Sequence, residues 1–104
     1  MNSIEELLSK IKERPEMYIG RSSISCLKAF IDGWFYRDHT TIIDSELIDG
    51  FQSWIEQKYN INTSHSWCDI ILFHSQDESK ALKRFFEEFD EWKKTKDRNF
   101  SDGA

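Results

Sequence analysis

Residues 78–96, ESKALKRFFEEFDEWKKTK, decide the fold of this 104-residue chain. Large apolar residues recur in this stretch at steps of three and four, which is the period of one face of an α-helix. On the other face, acids and bases lie four residues apart, where such pairs support a helix. The stretch therefore predicts a long helix packed on a core through one aromatic face. The residues of that face are Leu82, Phe85, Phe86, Phe89 and Trp92.

Both ends of this helix carry signals of their own. The stretch Ser75-Gln-Asp-Glu78 has the form of a capping box, in which the serine and the glutamate each accept a hydrogen bond from a free backbone N–H. The basic run Lys93–Arg98 is interrupted by Asp97, and a helix C-terminus, where the dipole favours cations, explains it better than nucleic-acid binding. Residues 97–104 are expected to form a flexible tail.

Two further helices are predicted in the first third of the chain. Residues 3–13 have apolar residues at helical spacing and predict a first helix, which Ser3 or Asn2 can cap. Pro15 ends this helix because a proline disfavours helical backbone in the residue before it. Gly20 permits a turn, after which Ser22 or Ser23 can cap the second helix. The apolar stripe of the second helix is Leu27, Phe30, Ile31 and Trp34.

The middle of the chain predicts a loop and two more helices. Residues 38–44 are polar or β-branched and predict the loop, and Asp44 or Ser45 then caps the third helix. The fourth helix is short, and a buried strand over Asp69–Phe73 is the alternative, because so short an apolar run does not distinguish the two. The residues that recur at helical spacing are Leu47, Ile48, Phe51, Trp54, Ile55 and Tyr59 in the third helix and Trp67, Ile70, Ile71 and His74 in the fourth.

These segments predict an all-α fold, a single compact bundle of four to five helices. The chain is long enough for one core but not for two, so residues 1–104 are expected to form one domain. The N-terminus leads into a charged segment rather than a secretory signal, and no apolar run reaches the length of about 18 residues that spans a membrane. Cys26 and Cys68 form no CxxC pair, which favours reduced thiols in a cytoplasmic protein, and one bridge between them stays open.

The net charge of −5 is concentrated in one segment. Residues 38–79 hold eight acids and a single base, Lys58, and we call this segment the acidic block. Such a block attracts a cationic partner and repels nucleic acid and anionic lipid, although a solvated surface that serves only solubility is the alternative. No base follows its first acids in sequence before Lys58, so they are the predicted partner-binding residues. They are Asp38, Asp44, Glu46 and Asp49.

Signals for catalysis or metal binding are weak. His65, Cys68 and His74 lie close in sequence, but zinc normally needs three or four ligands from matched pairs, and no second cysteine pair exists. The run Ser64-His65-Ser66 contains residue types that are used in nucleophilic catalysis, but three adjacent residues cannot form a catalytic triad because their side chains diverge. Ser64 or Ser66 is better explained as the cap of the fourth helix. No GxGxxG or Walker loop occurs. No catalytic residue, cofactor or metal site is therefore predicted.

The segment Arg14-Pro-Glu-Met-Tyr-Ile-Gly20 resembles the N-terminal arm of gyrase B subunits over a short stretch. In that family the following helix supplies a catalytic glutamate and a magnesium-binding asparagine, with glycine-rich lid motifs beyond. Here the following helix reads Leu27-Lys-Ala-Phe-Ile-Asp-Gly-Trp34 and lacks both residues, and no lid motif follows, so an ATPase is not predicted. Locally, Met17 and Tyr18 are expected to enter the core.

A second resemblance covers most of the chain. The sequence is similar to a family of small bacterial helical proteins with an RP-x-MY-[IL]-G run, a helix containing F-x-x-G, a tryptophan, a Y-N-I segment, an SHSW run and a phenylalanine-rich helix. Some members resemble immunity proteins of contact-dependent growth inhibition and related polymorphic toxin systems, which bind one cognate toxin domain in the cytosol and block it. The matching residues are Arg14–Gly20, Phe30 with Gly33, Trp54, Tyr59–Ile61, Ser64–Trp67, Phe85, Phe86 and Phe89.

This resemblance implies a cytoplasmic, non-enzymatic inhibitor. Many toxins of these systems are nucleases with basic substrate clefts, and an acidic inhibitor can imitate the phosphate backbone. The expected partner is therefore a basic RNase or tRNase toxin domain, with no direct binding of nucleic acid or membrane. The inhibitor would cover the toxin's active site or its substrate-binding surface. Two alternatives stay open: an interaction module for another protein, and a small hydrolase that uses His65 with a nearby acid.

Overall fold

The computed structural model describes residues 2–37, 39–61 and 64–103, with side chains as far as residue 97. All regular structure in these ranges is helical, which confirms the predicted all-α fold. Six α-helices occur there, one more than the largest number predicted. They are α1 (Ile4–Glu13), α2 (Pro15–Ile19), α3 (Ile24–Arg37), α4 (Leu47–Lys58), α5 (Trp67–Ser75) and α6 (Glu78–Gly103), with a 3-10 turn at His39–Thr41 between α3 and α4.

The additional helix, α2, begins at the proline that was expected only to end α1. Pro15 occupies the first turn, where the N–H that it lacks would have no partner in the helix. The helix ends at Gly20, whose φ of 77° is left-handed backbone that glycine adopts readily. The prediction that Met17 and Tyr18 both enter the core is wrong. Neighbouring residues of a helix point about 100° apart, and here Met17 is 69% exposed while Tyr18 is half-buried.

Three of the predicted helix caps are confirmed. Ser3, Ser23 and Ser66 each accept a hydrogen bond on Oγ from the backbone N–H three residues later, at 3.2 Å in each case. These bonds satisfy N–H groups that the starts of α1, α3 and α5 leave free. Because α5 covers Asp69–Phe73, the alternative of a strand there is wrong.

The capping box predicted at the start of α6 is wrong. Ser75 is the last residue of α5, so it cannot be the N-cap of α6 that the capping box requires. Asp77 caps α6 instead, since its Oδ1 accepts a hydrogen bond from the backbone N–H of Lys80 at 2.8 Å. Glu78 turns away from its own helix and contacts α3, as described below.

The core is centred on the aromatic face of α6, whose five predicted residues are all buried. Phe51 of α4 is fully buried and packs against rings from α4, α5 and α6, with centroids 5.4–6.2 Å apart. The apolar stripe of α1 is buried as well, whereas Phe30 and Trp34 of α3 are only half-buried. The buried apolar side chains form one cluster, to which every helix except α2 contributes.

The C-terminal end of α6 extends past the predicted start of the tail. Its backbone is helical to Gly103, and the side chains from Arg98 onward lie outside the described part of the chain. The flexible tail over 97–104 therefore stays a prediction. None of the helices described has the length and apolar character needed to cross a membrane.

Candidate protein-interaction surface

The four predicted partner-binding acids lie in different environments. Glu46 and Asp49 are exposed at the start of α4. Asp44 is half-buried, and its carboxylate is bonded to α1. Asp38 lies outside the described residues. That these acids contact a partner stays a prediction, and the structure makes Glu46 and Asp49 the two whose carboxylates are free to do so.

Asp44 caps α1 although the two are far apart in sequence. One carboxylate oxygen accepts a hydrogen bond from the N–H of Ile4 at 2.7 Å, and the other accepts from the N–H of Glu5 and the hydroxyl of Ser3 at 3.0 Å. Burial alone would raise the pKa of Asp44, but these bonds outweigh it and hold the pKa below its ordinary value. The prediction that Asp44 or Ser45 caps α4 is wrong, since α4 has no side-chain cap within the described residues.

Glu78 caps α3 in the same manner. Its Oε1 accepts hydrogen bonds from the N–H of Ser25 at 2.9 Å and the hydroxyl of Ser23 at 2.8 Å, and its Oε2 accepts from the hydroxyl of Ser25 at 2.7 Å. The bonds from Ser25 and then Ser23 lower the pKa of Glu78. Together with Asp77 at the start of α6, three members of the acidic block thus close helix N-termini, where carboxylates are stabilised by the dipole.

The remaining acids of the block are not neutralised by ion pairs. Lys58, the block's only base, pairs with Glu88 at 2.5 Å and with Glu91 at 2.9 Å, and both of these belong to α6. The other ion pairs join residues that lie outside the block on both sides. Within the described ranges, no acid of the block takes part in an ion pair. Its negative charge therefore remains available to a cationic partner.

The outer side of α4 presents part of this charge as a row. Glu46, Asp49 and Glu56 lie at steps of three and seven, which places them along one side of the helix, away from its buried stripe. The first two are exposed, whereas Glu56 is half-buried and accepts a hydrogen bond from the Gln52 amide at 3.3 Å. We call this row the acidic face of α4. It spans ten residue steps, or about 15 Å along the helix axis. No base interrupts it, because the exposed residues among these acids are small or neutral. These are Gly50, Ser53 and Gln57.

A groove of about 470 Å³ opens beside the start of this acidic face. Ile43, which is 82% exposed, lines it together with Glu46, Trp92 and Lys96. The ammonium group of Lys96 lies over the ring of Trp92, 5.3 Å from its centroid, and makes no ion pair with Glu46. An exposed apolar side chain bordered by charge has the make-up of a protein contact.

A nearly buried carboxylate holds Lys58 at the opposite end of α4. Glu88 is 4% exposed, and besides Lys58 it accepts a hydrogen bond from the hydroxyl of Tyr59 at 2.6 Å. Arg84 donates from Nε to the Tyr59 oxygen at 3.0 Å. Burial alone would raise the pKa of Glu88, but the bonds from Lys58 and Tyr59 outweigh it, so the pKa lies below its ordinary value. This network joins the end of α4 to α6.

A second, mainly apolar pocket of about 600 Å³ lies between the end of α4 and α5, and we call it the ring pocket. The rings of Tyr59 and His74 face each other there, with centroids 4.5 Å apart, and Phe73 is 74% exposed beside them. Four aromatic or imidazole rings and one carboxylate thus line one opening. The lining residues are Tyr59, Ile61, His65, Asp69, Ile70, Phe73 and His74.

The structure brings His65 and His74 to this pocket but leaves Cys68 out of it. The Cys68 thiol is buried and donates a hydrogen bond to the carbonyl of Ile24, with 3.7 Å between sulfur and oxygen. Burial, followed by the charges of neighbouring acids, raises the pKa of Cys68 to about 11. No group of three or more metal-binding side chains was found where the chain is described. Cys26 and Cys68 are both free thiols.

Comparison with family models, curated proteins and solved structures gave no match to this chain. The likeness to immunity proteins therefore remains an expectation drawn from the sequence motifs.

Proposed function

We propose that this protein is an immunity protein: a non-enzymatic, cytoplasmic inhibitor that binds a cognate toxin domain and blocks it. The toxin would be a basic nuclease that acts on RNA, most simply an RNase or tRNase. The observation that supports this proposal is the acidic face of α4, whose carboxylates form no ion pair with any lysine or arginine side chain that the structure describes. A surface of this kind is complementary to a cleft that binds phosphates.

Binding would proceed in two physical stages. The uncompensated charge of Glu46, Asp49 and Glu56 would accelerate encounter with a cationic toxin and orient it. Apolar contacts at the exposed Ile43 and the adjoining groove would then hold the complex, because buried apolar anchors supply most of the affinity of such interfaces. The inhibitor would cover the active site or the substrate-binding surface and so exclude the nucleic acid.

Co-expression tests this proposal. The C-terminal domain of a toxin-bearing protein encoded beside this gene would be induced in a bacterial host with and without this chain. Restored growth and co-purification of the two proteins are expected. A folded wild-type chain that neither restores growth nor co-purifies would contradict the proposal. Co-purification with a different protein and no effect on the toxin would favour the alternative of a general interaction module.

A pair of matched double variants locates the interface. Glu46→Lys with Asp49→Lys reverses two charges on the acidic face of α4 and should weaken rescue. Glu13→Lys with Glu16→Lys makes the same change in net charge at exposed acids outside the acidic block, and it should leave rescue intact. Asp44 is not used here, because its role in capping α1 would mix folding with binding.

A further inference from the structure

We propose that the ring pocket is a binding site for one arginine side chain of the protein partner. The inference deepens the proposed function and rests on it in one respect, namely that the partner is a cationic protein. It concerns a different part of the surface from the acidic face of α4, between the C-terminal end of that helix and α5. Its evidence is the combination of flat rings, apolar walls and one free carboxylate at a single opening.

The walls of the pocket suit the two parts of an arginine side chain. Ile61 and Ile70 provide apolar surface for the methylene stem. The rings of Phe73 and His74 provide flat surfaces, and guanidinium groups stack on such surfaces more readily than ammonium groups do. The Tyr59 ring supports them, since it already packs against His74 and has the guanidinium of Arg84 over it, 5.9 Å from its centroid. The ring edge of Phe73 meets His74 at an interplanar angle of 85°, so two differently oriented faces are present in the pocket.

Asp69 supplies the charge. It lies in the first turn of α5, where its backbone N–H bonds to Ser66, and its side chain is exposed. The carboxylate makes no ion pair and no hydrogen bond with the described part of the chain. A free carboxylate next to stacked rings matches the fork of N–H donors of a guanidinium group, which can bind both oxygens at once.

The pocket is held ready for its ligand by the network behind it. The hydroxyl of Tyr59 donates to the buried carboxylate of Glu88 at 2.6 Å and accepts from Arg84 at 3.0 Å, which fixes the plane of the tyrosine ring. His74 packs directly against that ring, with 4.5 Å between the centroids, so the two rings form one wall of the pocket. A site whose rings are already positioned loses less conformational entropy on binding.

Other occupants fit less well. A purely apolar anchor would cover Asp69 without giving its carboxylate a partner, and burying an unpaired charge is costly. A lysine would pair with Asp69 but would stack poorly on the rings. A second copy of this chain could insert one of its own arginines, and that occupant is an outcome of the test below.

The test is a titration of the isotope-labelled full chain with N-acetyl-arginine amide, followed by two-dimensional NMR. Binding in about the millimolar range is expected, with the largest shift changes at Asp69, Phe73 and His74. N-acetyl-lysine amide should bind at least about fivefold more weakly. Asp69→Asn should weaken arginine binding by about tenfold. Asp49→Asn, which removes the same charge from the acidic face of α4, should leave the binding unchanged.

Phe73→Ala is a second variant that keeps the test decisive, since this exposed side chain can be removed without disturbing the core. It should weaken arginine binding by about threefold to tenfold. The inference is overturned if the two amides bind equally, if the shift changes centre on the acidic face of α4, or if Asp69→Asn and Asp49→Asn have equal effects. Shift changes at the pocket that grow with protein concentration alone would mean self-association, and they would overturn it too.

Failure here is distinguishable from failure of the proposed function, because the arginine titration needs no toxin. If the pocket binds no arginine but co-expression still rescues growth, only the pocket assignment is wrong. If the pocket binds arginine and rescue fails, the immunity function is wrong and the pocket is retained.

Discussion

Lys58 and Glu88 form an ion pair between the end of α4 and α6, with 2.5 Å between Nζ and Oε2. The carboxylate is nearly buried, while the lysine side chain is 33% exposed. This contact joins two helices of the core and also draws the only base of the acidic block away from that block's carboxylates. A structural contact on one side of α4 therefore leaves the acidic face on its other side without a counter-charge.

Replacing Glu88 with glutamine should destabilise the protein by about 2 kcal/mol. The change removes a nearly buried charge, leaves Tyr59 without its carboxylate acceptor and leaves Lys58 with Glu91 alone. Because Lys58 remains partly hydrated, the loss should be smaller than for a fully buried pair. Urea unfolding at neutral pH measures it. Glu87→Gln, at the exposed neighbouring position, should change the free energy of unfolding by less than about 0.5 kcal/mol. Equal effects of the two substitutions would show that the Glu88 network does not stabilise the fold.

Asp44→Asn should lower the free energy of unfolding by about 1–2 kcal/mol at pH 7, because the charged cap of α1 is lost. The pKa of Asp44 is lower in the folded chain than its ordinary value of 3.8, so its stabilisation is complete above that value and is lost as the pH falls through the folded pKa. The difference between wild type and Asp44→Asn should therefore shrink as the solution is acidified below 3.8.

Urea unfolding of both proteins over a range of acidic pH checks this dependence. Asp49→Asn is the matched control, since its carboxylate caps no helix, and it should remain within about 0.5 kcal/mol of wild type at each pH. A difference between wild type and Asp44→Asn that stays constant with pH would contradict the assigned role of the charge.

Phe51→Ala should destabilise the protein by about 4 kcal/mol, which is the range for deleting a buried phenylalanine ring. The ring packs against five other aromatic rings, and those neighbours cannot all move to fill the cavity. Thermal and urea unfolding both report the loss. Phe73→Ala removes the same ring from an exposed position and should cost less than about 0.5 kcal/mol. A loss below about 1 kcal/mol for Phe51→Ala would place the centre of the core elsewhere.

The two cysteines should differ in reactivity. With a pKa of about 11 and a buried sulfur, the Cys68 thiol is protonated near neutral pH and inaccessible, whereas Cys26 is partly exposed. Ellman's reagent at pH 8 should therefore titrate one thiol quickly in the native protein and both thiols in guanidinium chloride. Cys26→Ser should abolish the fast reaction and Cys68→Ser should preserve it. Rapid reaction of native Cys26→Ser would show that Cys68 is accessible.

The sequence predicted elements wherever the relevant interactions are local. The aromatic face of α6 and the serine caps at Ser3, Ser23 and Ser66 each depend on spacings of three or four residues, which can be read along the chain. The helix α2 was missed because its five residues are too few to establish a period. Pro15 also stops one helix and starts another, and its position in the sequence predicted only the first of these roles.

The missed features of the candidate site depend on contacts between distant parts of the chain. Nothing near Asp44 or Glu78 indicates that their carboxylates close α1 and α3, because the donors lie some forty or more residues earlier. Both residues sit beside helix starts of their own, so local capping was the natural expectation. The ring pocket was missed for the same reason, since Tyr59 and His74 meet only after α4 and α5 pack together.

The central claim is that the uncompensated acidic face of α4 binds a cationic toxin surface. Its most direct test is the association rate constant with a catalytically inactive cognate toxin domain, measured by stopped flow from low to high NaCl. For wild type and for the Glu13→Lys, Glu16→Lys control, the rate should fall by about tenfold or more as salt screens the charges. Glu46→Lys with Asp49→Lys should associate more slowly at low salt and depend less on salt. Equal rates and equal salt dependence for all three proteins would contradict the claim.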